Sequence, residues 1–162
     1  PRDRTTMIKV IQGLEKGYPL IVGKGDKRFG YLHIGNFCQA VELSILTPGI
    51  EGRSYTVTNG ELPTWREFFE ALMAELGRKQ RIYVPARAAF VAAFLQTSVH
   101  RIFSRFTPQL NYYRVKRVTT ETTYDISRTI AELGYRPDDR YVEQIREMVA
   151  WYKEEKRSGF LP

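Results

Sequence analysis

The chain has 162 residues, of which 43% are hydrophobic, and this is enough for one domain with a buried core. The lone cysteine, Cys38, excludes an internal disulfide, and no apolar run reaches the roughly 20 residues of a membrane-spanning helix. The formal net charge is +7, and it is unevenly distributed, because no Asp or Glu occurs from Leu76 to Thr120.

Up to Pro85 the sequence alternates between helical and strand patterns, which differ in the spacing of their apolar residues. The clearest helix opens at Thr64, where Thr64-Trp65-Arg66-Glu67 matches a capping box, and it ends at Gly77. The other elements expected here are a helix over Thr5–Lys16, strands over Leu20–Val22 and Gly30–Ile34, a helix over Asn36–Leu46, and strands over Ser54–Thr58 and Arg81–Val84.

A glycine-rich stretch, Val22–Asn36, joins the first two predicted strands. A dinucleotide-binding loop needs Gly-x-Gly-x-x-Gly between a strand and a helix, and a P-loop needs Gly-Lys-Ser/Thr at the start of a helix. The spacing of Gly23, Gly25 and Gly30 matches neither motif. We therefore interpret the stretch as a tight turn between strands, with His33 as a structural residue on the second strand.

Beyond Pro85 the patterns are helical. Cys38 lies in an apolar helical pattern and is predicted to be a small buried residue. Together with the first half, this indicates an α/β fold that is mostly helical in its second half. The expected helices are Ala86–Phe106, Pro108–Lys116, Asp125–Leu133 and Tyr141–Lys156.

The acid-free window Leu76–Thr120 has three interpretations. A solvated helix face is the ordinary one, and an anionic membrane surface is the second, because interfacial helices combine an apolar stripe with flanking basic residues. A nucleic-acid surface would need exposed rings that stack on bases. The candidate rings lie among Ala, Val and Leu, which predicts burial, so no nucleic-acid partner is expected; these rings are Phe90, Phe94, Tyr112 and Tyr113.

Catalytic and metal motifs are weak. Tyr112 and Lys116 have the Tyr-x-x-x-Lys spacing of a dehydrogenase pair, but a chain with 10 tyrosines can match it by chance, and we interpret them as a helix-surface pair. Cys38 and the two histidines lack metal-ligand spacing, so no metal is predicted. No Ser-His-acid grouping is evident.

Five segments, read in order, resemble the extended short-chain dehydrogenases and reductases. They are PRDRTT, GKGDKRFGYLHIGN, the helix–strand–helix run from NFCQAVELSIL through GRSYTVTNG to the helix that opens at Thr64 and ends in ELG, YDISRTIAELGYRP, and VEQIREMVAWYKE. Phe29 stands where sugar-nucleotide epimerases usually have a phosphate-binding arginine. Asn36 and the apolar run Ala86–Phe106 resemble the 3β-hydroxysteroid and sterol dehydrogenase branch. The chain differs from the family in Gly35 and in Gly30, where Asp is usual.

The resemblance implies that residues 1–162 are a single C-terminal substrate-binding region of an extended Rossmann-type enzyme. The family's N-terminal half carries the NAD or NADP site and the catalytic residues, so the chain alone is expected to hold no cofactor and to be inactive. The expected substrate is a small lipophilic, sterol-like alcohol or ketone. The resemblance implies a pocket that draws on Tyr31, His33, Tyr83, Phe90 and Phe94.

Two alternatives remain open at this point. In a sugar-nucleotide epimerase or dehydratase, Arg28 would hold phosphate in place of Phe29. In a stand-alone basic module, the window Leu76–Thr120 would bind membrane surfaces. A cytoplasmic location is expected in either case, with peripheral membrane contact and self-association through apolar surface as further expectations.

Overall fold

The computed structural model of the protein describes residues 7–17, 21–78, 83–102 and 112–159. The chain forms two compact units. Unit 1 consists of residues 28–63 and 123–159, and unit 2 of the described residues up to 27 and from 64 to 122. Parts of the predicted elements lie outside the described residues, namely Thr5, Thr6, Leu20, Arg81, Ile82 and residues 103–111.

Unit 2 contains a two-stranded parallel sheet flanked by helices. Strand β1 (Ile21–Val22) pairs with β2 (Tyr83–Val84) in the register Ile21 to Tyr83 and Val22 to Val84. Parallel strands need a long connection, and the one here contains two helices. The helices of this unit are α1 (Met7–Glu15), α3 (Trp65–Glu75), α4 (Ala86–Ile102) and α5 (Tyr112–Thr119).

The predicted capping box at the start of α3 is confirmed. The Thr64 hydroxyl accepts from the Glu67 N–H at 3.2 Å, and the Glu67 carboxylate accepts from the Thr64 N–H at 2.8 Å. Two N–H groups that the first turn leaves without helical partners are thereby satisfied. Phe68 and Leu72 of the predicted stripe are fully buried, and Gly77 follows the helix with a φ of 68°.

Hydrogen bonds connect the glycine stretch, which follows β1, to the start of α3. Gly23 and Gly25 have φ values of 68° and 64°, which confirms a glycine turn. The Gly25 carbonyl accepts from the Arg66 N–H at 2.9 Å, and the Lys24 carbonyl accepts from the Arg66 guanidinium. A Cβ at Gly25 would lie 2.9 Å from Ile21 Cγ2, so both backbone angle and space require glycine here.

Helices α4 and α5 pack against each other in unit 2. Ala89 and Ala93 on one face of α4 and Val115 of α5 form a buried cluster. Val22, Val84 and Phe90 pack against it as partly buried residues. Because alanine is small, Ala89 and Ala93 contribute little side-chain volume to the cluster.

Unit 1 is built from α2 (Ile34–Leu46), α6 (Ser127–Leu133) and α7 (Tyr141–Arg157). Ala40 of α2, Leu133 of α6 and Tyr135 form one buried cluster. The predicted glycine end of α6 is confirmed, because Gly134 has a φ of 67° and its N–H donates to the Ile130 carbonyl. The α/β class and the helical character of the second half are also confirmed.

The predicted strand Gly30–Ile34 is wrong, and so is the strand Ser54–Thr58. Ile34 already belongs to α2, and His33 is its N-cap. Residues 53–59 lie outside any strand, and the carbonyls of Thr56 and Thr58 bond to side chains instead of a neighbouring strand. The Thr129 hydroxyl donates to the Thr56 carbonyl at 2.6 Å, and the Tyr135 hydroxyl to the Thr58 carbonyl at 2.9 Å.

Helix α2 is apolar on two faces, and only one is buried. Ala40 lies on the buried face, whereas Cys38 is exposed, so its predicted burial is wrong. Helical spacing places Cys38 on the side opposite Ala40. The large apolar residues of that exposed side are Ile34, Phe37, Val41 and Ile45.

Within the described parts of the chain, no helix is both long and apolar enough to cross a bilayer. Over the same residues, no cluster of three or more His, Cys, Asp or Glu side chains could hold a metal ion.

Candidate functional site

The segment Tyr31–His33, which leads into α2, carries two of the predicted substrate-binding residues. Asn59 forms hydrogen bonds with the backbone of this segment at two residues, Tyr31 and His33. The Tyr31 carbonyl accepts from the Asn59 N–H at 2.9 Å, and the His33 N–H donates to Asn59 Oδ1 at 3.0 Å. These two bonds satisfy backbone groups that the missing strand ladder would otherwise have satisfied.

Three buried amides form what we call the amide cluster, namely Asn36, Asn59 and Gln144. Asn36 Nδ2 donates to Asn59 Oδ1 at 2.9 Å, and Asn59 Nδ2 donates to Gln144 Oε1 at 3.0 Å. Asn36 Oδ1 also accepts from the Asp138 N–H at 2.8 Å, while Gln144 Nε2 donates to the Asp138 carbonyl. The cluster thereby ties α2, α7 and residue 138 to the Tyr31–His33 segment.

His33 caps the N-terminus of α2. Its Nδ1 accepts from the Gly35 N–H at 3.3 Å. A histidine whose Nδ1 accepts carries its proton on Nε2 when the ring is neutral. The interpretation of His33 as a structural residue is supported, although its position is a helix cap and not a strand.

Tyr31 is a partly buried phenol. Its ring meets Phe29 edge-to-face at a centroid distance of 6.5 Å. Burial, and to a lesser extent the charge of Glu147, raises the pKa of Tyr31 to about 12. The phenol is therefore protonated throughout the physiological range and can donate a hydrogen bond.

Gly30 lies against an aromatic ring. A Cβ at this position would come within 2.5 Å of Tyr124 Cε2, too close for any side chain unless the ring moves. The structure thus gives a physical reason for glycine where the resembled family usually has aspartate.

Phe29 and Arg28 have opposite environments. Phe29 is buried, and its N–H donates to the Pro63 carbonyl at 3.3 Å, whereas Arg28 is exposed. Phe29 is thus part of the core of unit 1. Of these two residues, Arg28 is the one whose side chain could contact a phosphate.

The other three predicted substrate-binding residues lie in unit 2. Tyr83 is in β2 and is 40% exposed. Phe90 is partly buried against the Ala89–Val115 cluster, and its ring lies 5.4 Å from that of Tyr112. Phe94 is 71% exposed. The predicted burial of Phe94, Tyr112 and Tyr113 is therefore wrong. Helical spacing turns Phe94 away from Ala93 and Tyr113 away from Val115. Tyr112 lies on the same side of α5 as Val115 but is still 63% exposed.

The structure brings Tyr31 and His33 together in one segment of unit 1 and places Tyr83, Phe90 and Phe94 in unit 2. A pocket formed by all five stays a prediction. Tyr112 and Lys116 are both exposed on α5, as expected for a helix-surface pair.

Sequence reasoning missed the roles of Asn59 and Gln144. Asn59-Gly60 matches a common turn dipeptide, and the sequence therefore predicts a turn, with no indication of burial. Instead Asn59 is fully buried at the centre of the amide cluster. Gln144 is a signal that could have indicated a buried polar contact. It is a polar residue in the first turn of an amphipathic helix, at a position where an apolar residue is expected.

Sequence comparison finds relatives among sterol-modifying proteins. The chain is 32% identical over 117 residues to "Sterol demethylase protein B" of Methylococcus capsulatus, which covers 71% of this chain and 35% of that protein. It is 25% identical over 162 residues to "3beta-hydroxysteroid-dehydrogenase/decarboxylase isoform 2" of Arabidopsis thaliana, covering 92% of this chain and 29% of that protein.

The chain belongs to the extended short-chain dehydrogenase/reductase superfamily. It spans about a third of the length of the curated relatives that it matches. No protein-family model matches it.

Solved structures agree with this dehydrogenase/reductase fold. The crystal structure of gox2253 matches with a TM-score of 0.68 at 18% identity, covering 97% of this chain and 47% of that one. The UDP-glucuronic acid 4-epimerase of Bacillus cereus, in complex with UDP-glucuronic acid and NAD, matches with a TM-score of 0.61 at 17% identity, covering 90% and 39%. At these identities the likeness concerns the fold alone.

Proposed function

We propose that the chain is the substrate-binding portion of an NAD(P)-dependent oxidoreductase that acts on a secondary alcohol or ketone of a lipophilic, sterol-like substrate. The observation that carries this proposal is the 32% identity to Sterol demethylase protein B over 71% of the chain. In such a reaction a hydride moves between the alcohol carbon and the nicotinamide, and a proton leaves the alcohol oxygen.

The contacts within each unit support a lipophilic substrate. In unit 1, the side chain of Phe29 is buried in the core. A phosphate-binding arginine at this position would instead have to reach solvent. Tyr31 and His33 are the proposed polar contacts of this unit, since Tyr31 keeps its proton and His33 carries a donor on Nε2. In unit 2, Tyr83, Phe90 and Phe94 are the proposed apolar contacts, with Phe90 the best anchored of the three.

The proposed cofactor is NAD or NADP, held by residues outside this chain. The Bacillus cereus epimerase with the same fold was solved with NAD. The chain's glycine turn supports this assignment, because no helix begins directly after the turn. The segment that follows it is irregular up to His33, the cap of α2. A phosphate site on a helix N-terminus therefore has no counterpart at Gly23–Gly30.

Calorimetry tests whether the chain binds the sterol and leaves the dinucleotide to residues outside it. Titration of the 162-residue chain with NAD+ or NADPH should give no binding heat, whereas a 3β-hydroxysterol presented in detergent should bind. Micromolar binding of either dinucleotide would contradict the proposal. Detergent alone and a sterol hydrocarbon that lacks the hydroxyl are the matched controls for the sterol titration.

A sugar-nucleotide epimerase or dehydratase is the second candidate, favoured by the likeness to the UDP-glucuronic acid 4-epimerase. The exposed Arg28 is the group that could contact a diphosphate. If this candidate holds, UDP-glucuronic acid binds to the full protein, and Arg28→Gln weakens the binding about tenfold or more. Lys24→Gln, which removes an exposed charge from the neighbouring turn, is the control and should have little effect.

A further inference from the structure

The outward face of α4 is apolar. Val91, Phe94 and Leu95 are 59%, 71% and 56% exposed, and their spacing places them on the side opposite the buried Ala89 and Ala93. The stripe is thus separate from the cluster that joins α4 to α5. Large apolar side chains grouped on one helix face indicate an interaction surface, whereas scattered ones do not.

Exposed basic side chains occur on α4 and on the adjoining helix α5. Arg87 precedes Val91 by one helical turn and is exposed, and Lys116 and Arg117 are exposed on α5, whose inward residue is Val115. No acidic residue occurs anywhere from Leu76 to Thr120, so nothing within this stretch of sequence neutralises these charges. The combination of apolar side chains, basic side chains and exposed tyrosines is typical of a helix pair that lies at a lipid interface.

We propose that the outward faces of α4 and α5 form a docking surface for an anionic lipid bilayer. The interaction surface consists of Arg87, Val91 and Leu95 of α4 with Tyr113, Lys116 and Arg117 of α5, and it leaves out Phe94, which is a proposed substrate contact. The apolar side chains enter the boundary between headgroups and acyl chains, while the cations remain at the level of the lipid phosphates.

A lipid surface is favoured over a nucleic acid by the residues at the centre of the patch. Val91 and Leu95 cannot stack on bases or bond to phosphates, whereas both gain from burial among acyl chains. The proposal is independent of which substrate or cofactor the enzyme uses, because it rests on the exposed side chains of unit 2 alone.

Co-sedimentation of the 162-residue chain with lipid vesicles tests the proposal. Vesicles of phosphatidylserine and phosphatidylcholine in equal parts should bind the chain at least about tenfold more strongly than phosphatidylcholine alone. Raising the salt concentration should weaken the binding to anionic vesicles. Equal binding to both kinds of vesicle, or binding that is insensitive to salt, would overturn the proposal.

Two variants with a matched control locate the surface. Lys116→Gln with Arg117→Gln should reduce anionic-vesicle binding by about fivefold for each charge removed. Arg136→Gln with Arg157→Gln removes the same charge from exposed positions of unit 1 and should change the binding less than about twofold. An equal loss in both double variants would show that only net charge matters and would overturn the proposal.

The apolar stripe is tested by Val91→Ser with Leu95→Ser, which should weaken binding about tenfold or more without changing the charge. Circular dichroism checks that each variant keeps its helix content. If a variant fails to fold, the salt titration of the unaltered chain still tests the proposal. A chain that binds duplex DNA as strongly as anionic vesicles carries a general polyanion patch, and this result would also overturn the proposal.

Discussion

Gly25 illustrates how backbone conformation and close packing act together at one residue. Its φ of 64° belongs to the left-handed region, and a Cβ would lie 2.9 Å from Ile21 Cγ2 and 3.2 Å from the Arg66 backbone nitrogen. Gly25→Ala should therefore lower the free energy of unfolding by about 2 kcal/mol or more. Urea denaturation followed by circular dichroism measures the loss.

Gly77 is the matched control for this substitution. It has a similar φ of 68° in the same unit, but a Cβ there meets nothing within 4 Å. Gly77→Ala should cost only about 1 kcal/mol, the backbone part alone. If the two variants lose equal stability, crowding at Gly25 is unimportant, and the described approach of Arg66 is incorrect.

Asn59 is a single side chain on which several others depend. Its Oδ1 accepts from His33 N–H and Asn36 Nδ2, and its Nδ2 donates to Gln144 Oε1. Asn59→Ala leaves these buried groups without partners and should lower the free energy of unfolding by about 2–4 kcal/mol. The urea midpoint reports this loss.

Ser44→Ala is the control for Asn59→Ala, because it deletes an exposed hydroxyl that donates to the carbonyl of Val41 within the same helix. It should change stability by less than about 0.5 kcal/mol. A comparably small effect for Asn59→Ala would mean that water replaces its contacts.

The burial and partners of single polar residues are the features that the sequence predicts least reliably. A lone polar residue looks the same in sequence whether it is buried or exposed, so Asn59 reads as a turn residue and His33 as a strand residue. Asn59 bonds to Gln144 and Asp138, which lie far along the chain, and the His33 N–H bonds to Asn59, 26 residues away. Local propensity carries no information about such contacts.

At the scale of elements, Glu132 ties α6 to the irregular segment 53–59. Its carboxylate accepts from the Tyr55 hydroxyl at 2.6 Å, from Arg128 at 3.0 Å and from Arg53 at 2.9 Å. The hydrogen bond from Tyr55, followed by those from Arg128 and Arg53, lowers the pKa of Glu132 from 4.5 to about 2. The charged carboxylate is therefore the form that the fold stabilises.

Acid should remove this contribution. Because the pKa of Glu132 is lower in the folded chain than in the unfolded one, the unfolded chain binds more protons, and stability falls as the pH drops from about 4.5 to about 2. Glu132→Gln should thus be less stable than the unaltered chain at neutral pH, and the gap should narrow towards pH 2. Urea midpoints at a series of pH values measure it; a gap independent of pH would contradict the assignment.

The exposed apolar face of α2 predicts self-association of the chain. Ile45 is 76% exposed, and Ile34, Phe37 and Val41 continue the same side of the helix. Ile45→Lys should weaken self-association, because it places a charge in the middle of an apolar contact. Sedimentation velocity at several protein concentrations measures the effect.

Thr123→Lys is the control for Ile45→Lys. It adds the same charge to an exposed position of unit 1 outside α2 and leaves the apolar side of that helix intact. Association that is reduced equally by both variants would point to net charge as the cause and would contradict a role for the apolar face.

Helices were predictable because their signals are local. The capping box at Thr64 and the glycines at 77 and 134 are short motifs whose geometry depends on neighbouring residues, and the structure confirms all three. Strands need a partner to exist. Ser54–Thr58 has the alternation of a strand, but its carbonyls at Thr56 and Thr58 bond to side chains instead.

At the scale of the whole molecule, the order of five moderate motifs identified the superfamily although no single one was decisive. The comparisons confirm this recognition, and they span about a third of each curated relative. The α/β class followed from the same patterns. The grouping of the chain into two compact units did not, because it depends on contacts between residues 28–63 and residues after 122.

The central claim is that this chain provides the substrate-binding part of a nicotinamide-dependent oxidoreductase for sterol-like alcohols. The most direct measurement is nicotinamide absorbance when the complete protein that contains this chain is mixed with NAD+ or NADP+ and a 3β-hydroxysterol. The account predicts steady reduction of the cofactor with the sterol and none with its 3-O-methyl ether, which has no hydroxyl to oxidise. No reduction with the sterol, together with turnover of UDP-glucuronic acid, would contradict it.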